Sequence, residues 1–117
     1  MNFKKYQHIM KIGTDEVDGI LNGTVYLFYK IDGTNSQVFL KEDNTLGFGS
    51  RNREISQFDD NADFVKETIK NSSEYKELLK ILESHPNYII YGEWLVPHTL
   101  KSYKADSWKK FYVFDVY

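Results

Sequence analysis

Apolar positions in this chain follow two patterns. The early and late stretches hold short, continuous runs rich in β-branched and aromatic residues, whereas the middle spaces its apolar residues on a polar background. Runs of the first kind read as strands and the spaced kind as amphipathic helix. Phe3 to Ile12 reads as an extended lead-in, followed by turn signals at Asp18-Gly19 and Asn22-Gly23. Thr24 to Ile31, built on Val25-Tyr26-Leu27-Phe28-Tyr29, reads as a first strand. Ser36 to Leu40 reads as a second. Leu46 to Arg51, with two glycines, reads as a third, after a turn at Glu42-Asp43-Asn44.

In the middle, Asp59 or Asp60 is placed to cap a helix starting near Ala62, on which Val65 and Ile69 lie four apart beside Phe64. Ser72 or Ser73 opens a second helix, where Tyr75, Leu78, Leu79 and Leu82 follow the spacing of one apolar stripe until Pro86 stops it. Both helices read as packing elements without chemistry of their own. Tyr88 to Leu95 is a strongly apolar strand carrying Gly92-Glu93-Trp94, broken by Pro97, and Phe111 to Val116 is the last strand. Strands, then helices, then strands predict an α+β fold with largely antiparallel pairing.

Composition narrows the class. The chain has 117 residues, enough for one domain with a modest core, and 41% hydrophobic with 27% charged residues is a globular balance. No apolar run approaches the ~20 residues of a membrane span. Met1-Asn2-Phe3-Lys4-Lys5-Tyr6 lacks the apolar centre of a signal peptide, which is compatible with a cytoplasmic protein. The absence of cysteine excludes disulfides and thiolate metal sites. His8, His85 and His98 are scattered, with no pair at ligand spacing, so no protein-built metal site is expected; His98, which follows Gly92-Glu93-Trp94-Leu95-Val96-Pro97, reads as a loop histidine or as one that reaches the mouth of a cleft. A net charge of −2 argues against a broad basic nucleic-acid surface but leaves room for a local one. Lys101, Lys104, Lys109 and Lys110 gather around Tyr103 and Trp108. Such a mixture can hold phosphates and stack bases, or form a solvated loop with two anchoring aromatics.

The sharpest chemical signal is Lys30-Ile31-Asp32-Gly33 at the end of the first apolar run. A lysine delivered by such a strand would have an apolar wall behind it. Desolvation disfavours the ammonium form, so the free amine would become available as a nucleophile. Asp32-Gly33 then turns the chain, and Gly33 leaves room for a ligand beside the backbone. A plain hairpin turn with a solvated lysine fits the tetrapeptide equally well. Three further signals follow in order: Ser50-Arg51-Asn52-Arg53, Tyr91-Gly92-Glu93-Trp94, and Phe111-Tyr112-Val113-Phe114-Asp115-Val116.

In order and spacing, from about Gly19 to Tyr117, these four signals resemble the nucleotidyltransferase motifs of the ATP-dependent RNA ligases. More broadly they are similar to the superfamily of DNA ligases and mRNA capping enzymes. The resemblance implies antiparallel sheets flanking a nucleotide cleft, with the two helices packed outside. It implies that Lys30 attacks the α-phosphorus of ATP to form a lysine–AMP adduct, with Mg2+ bridging phosphate oxygens. AMP then passes to an RNA 5′-phosphate, and a 3′-hydroxyl joins that end.

In this resemblance Asp32 and Gly33 line the nucleotide site, and Arg51 grips a phosphate or the nucleotide through its planar fork. Glu93 accepts a ribose hydroxyl. Phe114 stacks on the adenine, and strand alternation then places Tyr112 on its face and Phe111 on the other. Asn35, Arg53, Lys101 and Lys104 are candidate substrate contacts.

Two departures stand out. Phe28 and Tyr29 occupy positions where related ligases often carry a glutamate before the lysine, which leaves ATP over GTP open. The family's glutamate-glycine motif and its final pair of lysines have no counterpart before Tyr117. Residues 1–117 are therefore expected to be the N-terminal part of a nucleotidyltransferase domain, weakly active or inactive alone. A second chain or a missing C-terminal segment would complete it. The competing readings are a noncovalent nucleotide or nucleic-acid binding module, and a DNA ligase or capping-type guanylyltransferase.

Overall fold

The computed structural model describes all residues from Met1 to Tyr117. Its first regular hairpin follows from a local turn. Asn44 takes a left-handed conformation (φ 60°), and the Asp43 carboxylate accepts from the Thr45 backbone N–H (3.1 Å) and hydroxyl (2.6 Å). An Asx-type turn of this kind reverses the chain and sets the register on either side. Thus β1 (Thr34–Leu40) pairs with β2 (Leu46–Ser50), Val38 opposite Phe48. A two-residue β3 (Glu54–Ile55), too short to read from the sequence, continues from β2. β4 (Ile89–Trp94) lies on the other side of β1, and β5 (Phe111–Val116) beyond it. All five strands form one antiparallel sheet in the order β3-β2-β1-β4-β5.

One face of the sheet packs under the helices α1 (Phe64–Lys70) and α2 (Ser72–Ser84). There Val38, Leu40, Phe48, Ile90 and Trp94 meet Phe64, Val65, Leu78 and Leu82, all nearly inaccessible. The Phe64 ring is central, 5.3 Å from Trp94 and 5.1 Å from Phe111. The other face is covered in part by the lead-in. Phe3 and Tyr6 pack on Phe39, Ile89 and Tyr91, and the Tyr91 hydroxyl donates to the Lys4 carbonyl (2.9 Å). The glycines of β2 make this possible, since a Cβ at Gly47 would strike the Phe39 ring and one at Gly49 the Phe3 ring.

The helices agree with their periodicity, with an informative shift at the start of the first. α1 begins at Phe64 because Ala62 and Asp63 are both left-handed, and this lets the Asp60 carboxylate reach the backbone N–H groups of Val65 and Lys66 (3.0 Å each). α2 opens at Ser72, as the sequence indicates, and Asn71 before it supplies the cap in reciprocal bonds with Glu74. On α1 the buried partner of Phe64 and Val65 is Thr68, while Ile69 is exposed.

The expected strand over Thr24–Ile31 is corrected. These residues form no regular structure, and Val25–Tyr29 are 46 to 99% exposed. The reason is geometric. A strand exists only through a ladder partner, and β1 already has β2 on one side and β4 on the other. No helix is long and apolar enough to cross a membrane.

Candidate functional site

The chain enters β1 through Lys30-Ile31-Asp32-Gly33, and this turn lies against the end of β4. Gly33 is required for that approach, because a Cβ there would collide with the Trp94 carbonyl. The room expected beside Gly33 for a ligand is therefore filled by β4 backbone. The Gly33 N–H donates to Glu93 Oε1 (3.1 Å), and the Glu93 carboxylate makes no other hydrogen bond within the protein. Register puts Glu93 opposite Asn35 on β1 and Tyr112 on β5. The Asn35 side-chain oxygen is buried with no hydrogen-bond partner.

Two carboxylates near Lys30 are tuned in opposite directions. Burial pushes the Glu93 carboxyl above its ordinary value, partly offset by the Gly33 hydrogen bond and by the charges of Lys30 and His98. The Leu100 backbone hydrogen bond holds Asp32 below the usual carboxylate range, with the nearby His98 ring adding to the effect. Asp32 Oδ2 accepts from the Leu100 N–H (2.6 Å), Oδ1 lies 3.2 Å from His98 Nδ1, and the Asp32 N–H donates to the Tyr103 hydroxyl (3.0 Å). A half-buried carboxylate with one free oxygen suits a hydroxyl donor. A carboxylate with both oxygens engaged is a structural fastener.

The structure thus brings Lys30, Asp32, Gly33, Glu93 and Asn35 together, with the Leu100 backbone and the Tyr103 hydroxyl alongside. Arg51 follows Ser50, the last paired residue of β2, and is exposed without an ion pair. Arg53 forks onto Asp59 through both terminal nitrogens. A β-bulge between Tyr91 and Gly92 breaks the alternation of β5 and leaves Phe114 out of the pairing. Its ring stands edge-on to Tyr6 at 5.4 Å and is half exposed, on the part of the sheet that the lead-in covers. Phe111 packs in the opposite core.

The apolar wall expected behind Lys30 is absent, since Lys30 and the whole Val25–Tyr29 run are exposed. One hollow of about 320 Å³, lined by Lys41, Asp43 and Glu54 among others, lies at the opposite end of the sheet. No three His, Asp or Glu side chains gather closely enough to hold a metal ion. His98, in the loop directly after the Glu93 strand, does reach back to the Lys30 turn, where its ring meets Asp32, a partner the sequence did not name.

The sequence profile described as RNA ligase matches residues 23–117. The chain belongs to the RNA ligase family. A search of the curated proteins finds no match. The family match spans every residue of the site, from the Lys30 turn through β4 to β5. In this RNA ligase family member, the turn before β1 and the end of β4 are the parts joined most directly, through Gly33 and Glu93.

Proposed function

We propose that this chain carries the adenylylation chemistry of an ATP-dependent RNA ligase, with Lys30 as nucleophile. The Lys30 amine lone pair would form a P–N bond to the α-phosphorus of ATP. The α–β P–O bond breaks, pyrophosphate leaves with its electron pair, and the amine loses its proton to water. Mg2+ enters as MgATP, bound through the substrate's own phosphates. Asp32 has both oxygens engaged and is not free to serve as a resident ligand. The AMP group then passes to an RNA 5′-phosphate, and a 3′-hydroxyl attacks that end and releases AMP.

The observation that carries this reading is the gathering of Lys30, Gly33 and Glu93 at the junction of β1 and β4 in a chain of this family. The free oxygen of Glu93 is suited to accept a ribose hydroxyl, Arg51 a phosphate, and Phe114 the base by stacking. Stacking by Phe114 requires the lead-in at Tyr6 to yield, since the two rings are in contact. Residues 1–117 are assigned as the N-terminal part of a nucleotidyltransferase domain. The exposed Val25–Tyr29 run and the free edge of β5 are the surfaces that further strands, from this chain or another, would cover.

Incubation with ATP and Mg2+ followed by intact mass measurement is expected to show one added AMP, absent in Lys30→Ala. A GMP adduct formed from GTP in preference to the AMP adduct would favour a capping-type enzyme, and sealing assays on RNA and DNA nicks separate the two ligase classes. The exposure of Lys30 favours one alternative, a noncovalent nucleotide-binding module. ATP binding without an adduct, retained in Lys30→Ala, would select it.

A further inference from the structure

One residue of the Lys30 turn holds down an entire loop. Asp32 touches three positions of the Pro97–Trp108 segment: Leu100 through Oδ2 (2.6 Å), His98 through Oδ1 (3.2 Å) and Tyr103 through its own N–H (3.0 Å). The ends of that segment close on a single residue. Leu95 N–H donates to the Lys110 carbonyl (3.0 Å), and the Leu95 carbonyl accepts from the Lys109 N–H (2.8 Å). Tyr103 stands edge-on to Trp108 at 5.4 Å, and the Tyr112 hydroxyl donates to the Ser107 carbonyl (2.9 Å). The segment is therefore tied at its base, its far limb and its tip.

Lys101 and Lys104 ride on this loop, each directly after a residue that touches Asp32, and neither makes an ion pair. Lys109, by contrast, approaches Glu67 at 4.0 Å. Lys30 lies two residues before Asp32, and Lys101 and Lys104 each follow a residue that touches it, while both Asp32 oxygens are already engaged. We propose that Pro97–Trp108 is a strap that presents Lys101 and Lys104 to the phosphate chain of the substrate, with Asp32 and His98 as positioning residues that fasten it. This rests on the nucleotide reading above, and it gives Asp32 a role through the strap instead of direct contact with the nucleotide.

Calorimetric titration with inorganic tripolyphosphate tests the strap apart from the covalent chemistry. Lys101→Ala/Lys104→Ala is expected to weaken binding at least tenfold. His98→Ala and Asp32→Ala should each weaken it severalfold, and the double variant no more than the stronger single, because both act through one fastening. His98→Asn, which keeps a polar atom near the Nδ1 position, should restore most of the affinity, and amide exchange at Leu100 should quicken in His98→Ala but not in His98→Asn. The His98 and lysine side chains are exposed, so these variants keep the test open if Asp32→Ala fails to fold. Absence of tripolyphosphate binding to the wild-type chain, unchanged binding in the double lysine variant, or fully additive losses for Asp32 and His98 would overturn the proposal. Strap-dependent binding without a Lys30–AMP adduct would leave the strap standing and remove the adenylylation reading.

Discussion

Val25–Tyr29 and Ile89–Leu95 are similar runs of aliphatic and aromatic residues, and they meet opposite fates. In the second, Ile89, Ile90, Tyr91, Trp94 and Leu95 are between 0 and 5% exposed. In the first, Leu27, Phe28 and Tyr29 are 88 to 99% exposed. Hydrophobicity does not separate them; neighbours do. Ile89–Trp94 enters the sheet between β1 and β5, so its backbone is paired on both edges and its faces meet the helices and the lead-in. The first run finds no open edge beside the strand that follows it. Each run also lies beside a carboxylate of the site, Asp32 after the first and Glu93 within the second, and the two are tuned oppositely, Glu93 upward by burial and Asp32 downward by the Leu100 hydrogen bond.

The sharpest test compares deletions in the two runs. Trp94→Ala removes a ring packed on Phe64 and an indole N–H that donates to the Ala62 carbonyl (2.9 Å). A loss of about 3–5 kcal/mol is expected in urea denaturation, typical of a fully buried large aromatic. Next comes the hinge between the runs. Gly33→Ala drives a methyl group into the Trp94 carbonyl, and a cost of about 1–3 kcal/mol is expected, with loss of the Gly33–Glu93 hydrogen bond seen as an altered Gly33 amide shift.

The two carboxylates give a pH test. Glu93 is raised above its ordinary value of 4.5, so the folded state takes up that proton first. Its charged form disfavours folding above the raised pKa, and this penalty fades as pH falls towards 4.5. Asp32 is lowered below 3.8, so its contribution is present above 3.8 and is lost only as pH falls through the depressed value. Carboxyl-carbon NMR should show Glu93 titrating at higher pH than Asp32, and the reverse order would break the comparison. The smallest effect is expected at Leu27→Ser, within about 0.5 kcal/mol of wild type by the same urea measurement. A cost there near that of Trp94→Ala would mean that the first run is packed in solution.

Local pattern was a sound guide where the sheet later supplied partners. Ser36–Leu40, Leu46–Arg51, Tyr88–Leu95 and Phe111–Val116 all lie in or overlap strands, and the Tyr75–Leu82 stripe does face the core. It failed at Thr24–Ile31 because β propensity reports fitness for a ladder and not the presence of one. At the site, the order of Lys30, Arg51, Glu93 and Phe114 was legible as a motif series. That Gly33 is pressed against β4, that Phe114 sits at a bulge beside Tyr6, and that Asp32 fastens a loop some 70 residues away were not, since each depends on contacts distant in sequence.

By itself, then, the order of residues determined an α+β chain with two amphipathic helices, antiparallel strands and the motifs of a ligase family, because these are properties of short windows and their spacing. Only the tertiary structure decided which apolar run is buried, which carboxylate is free to bind and which lysines stand beside the Lys30 turn. Those outcomes depend on which elements share an edge, and a free sheet edge is a property of the whole fold that no window of sequence contains.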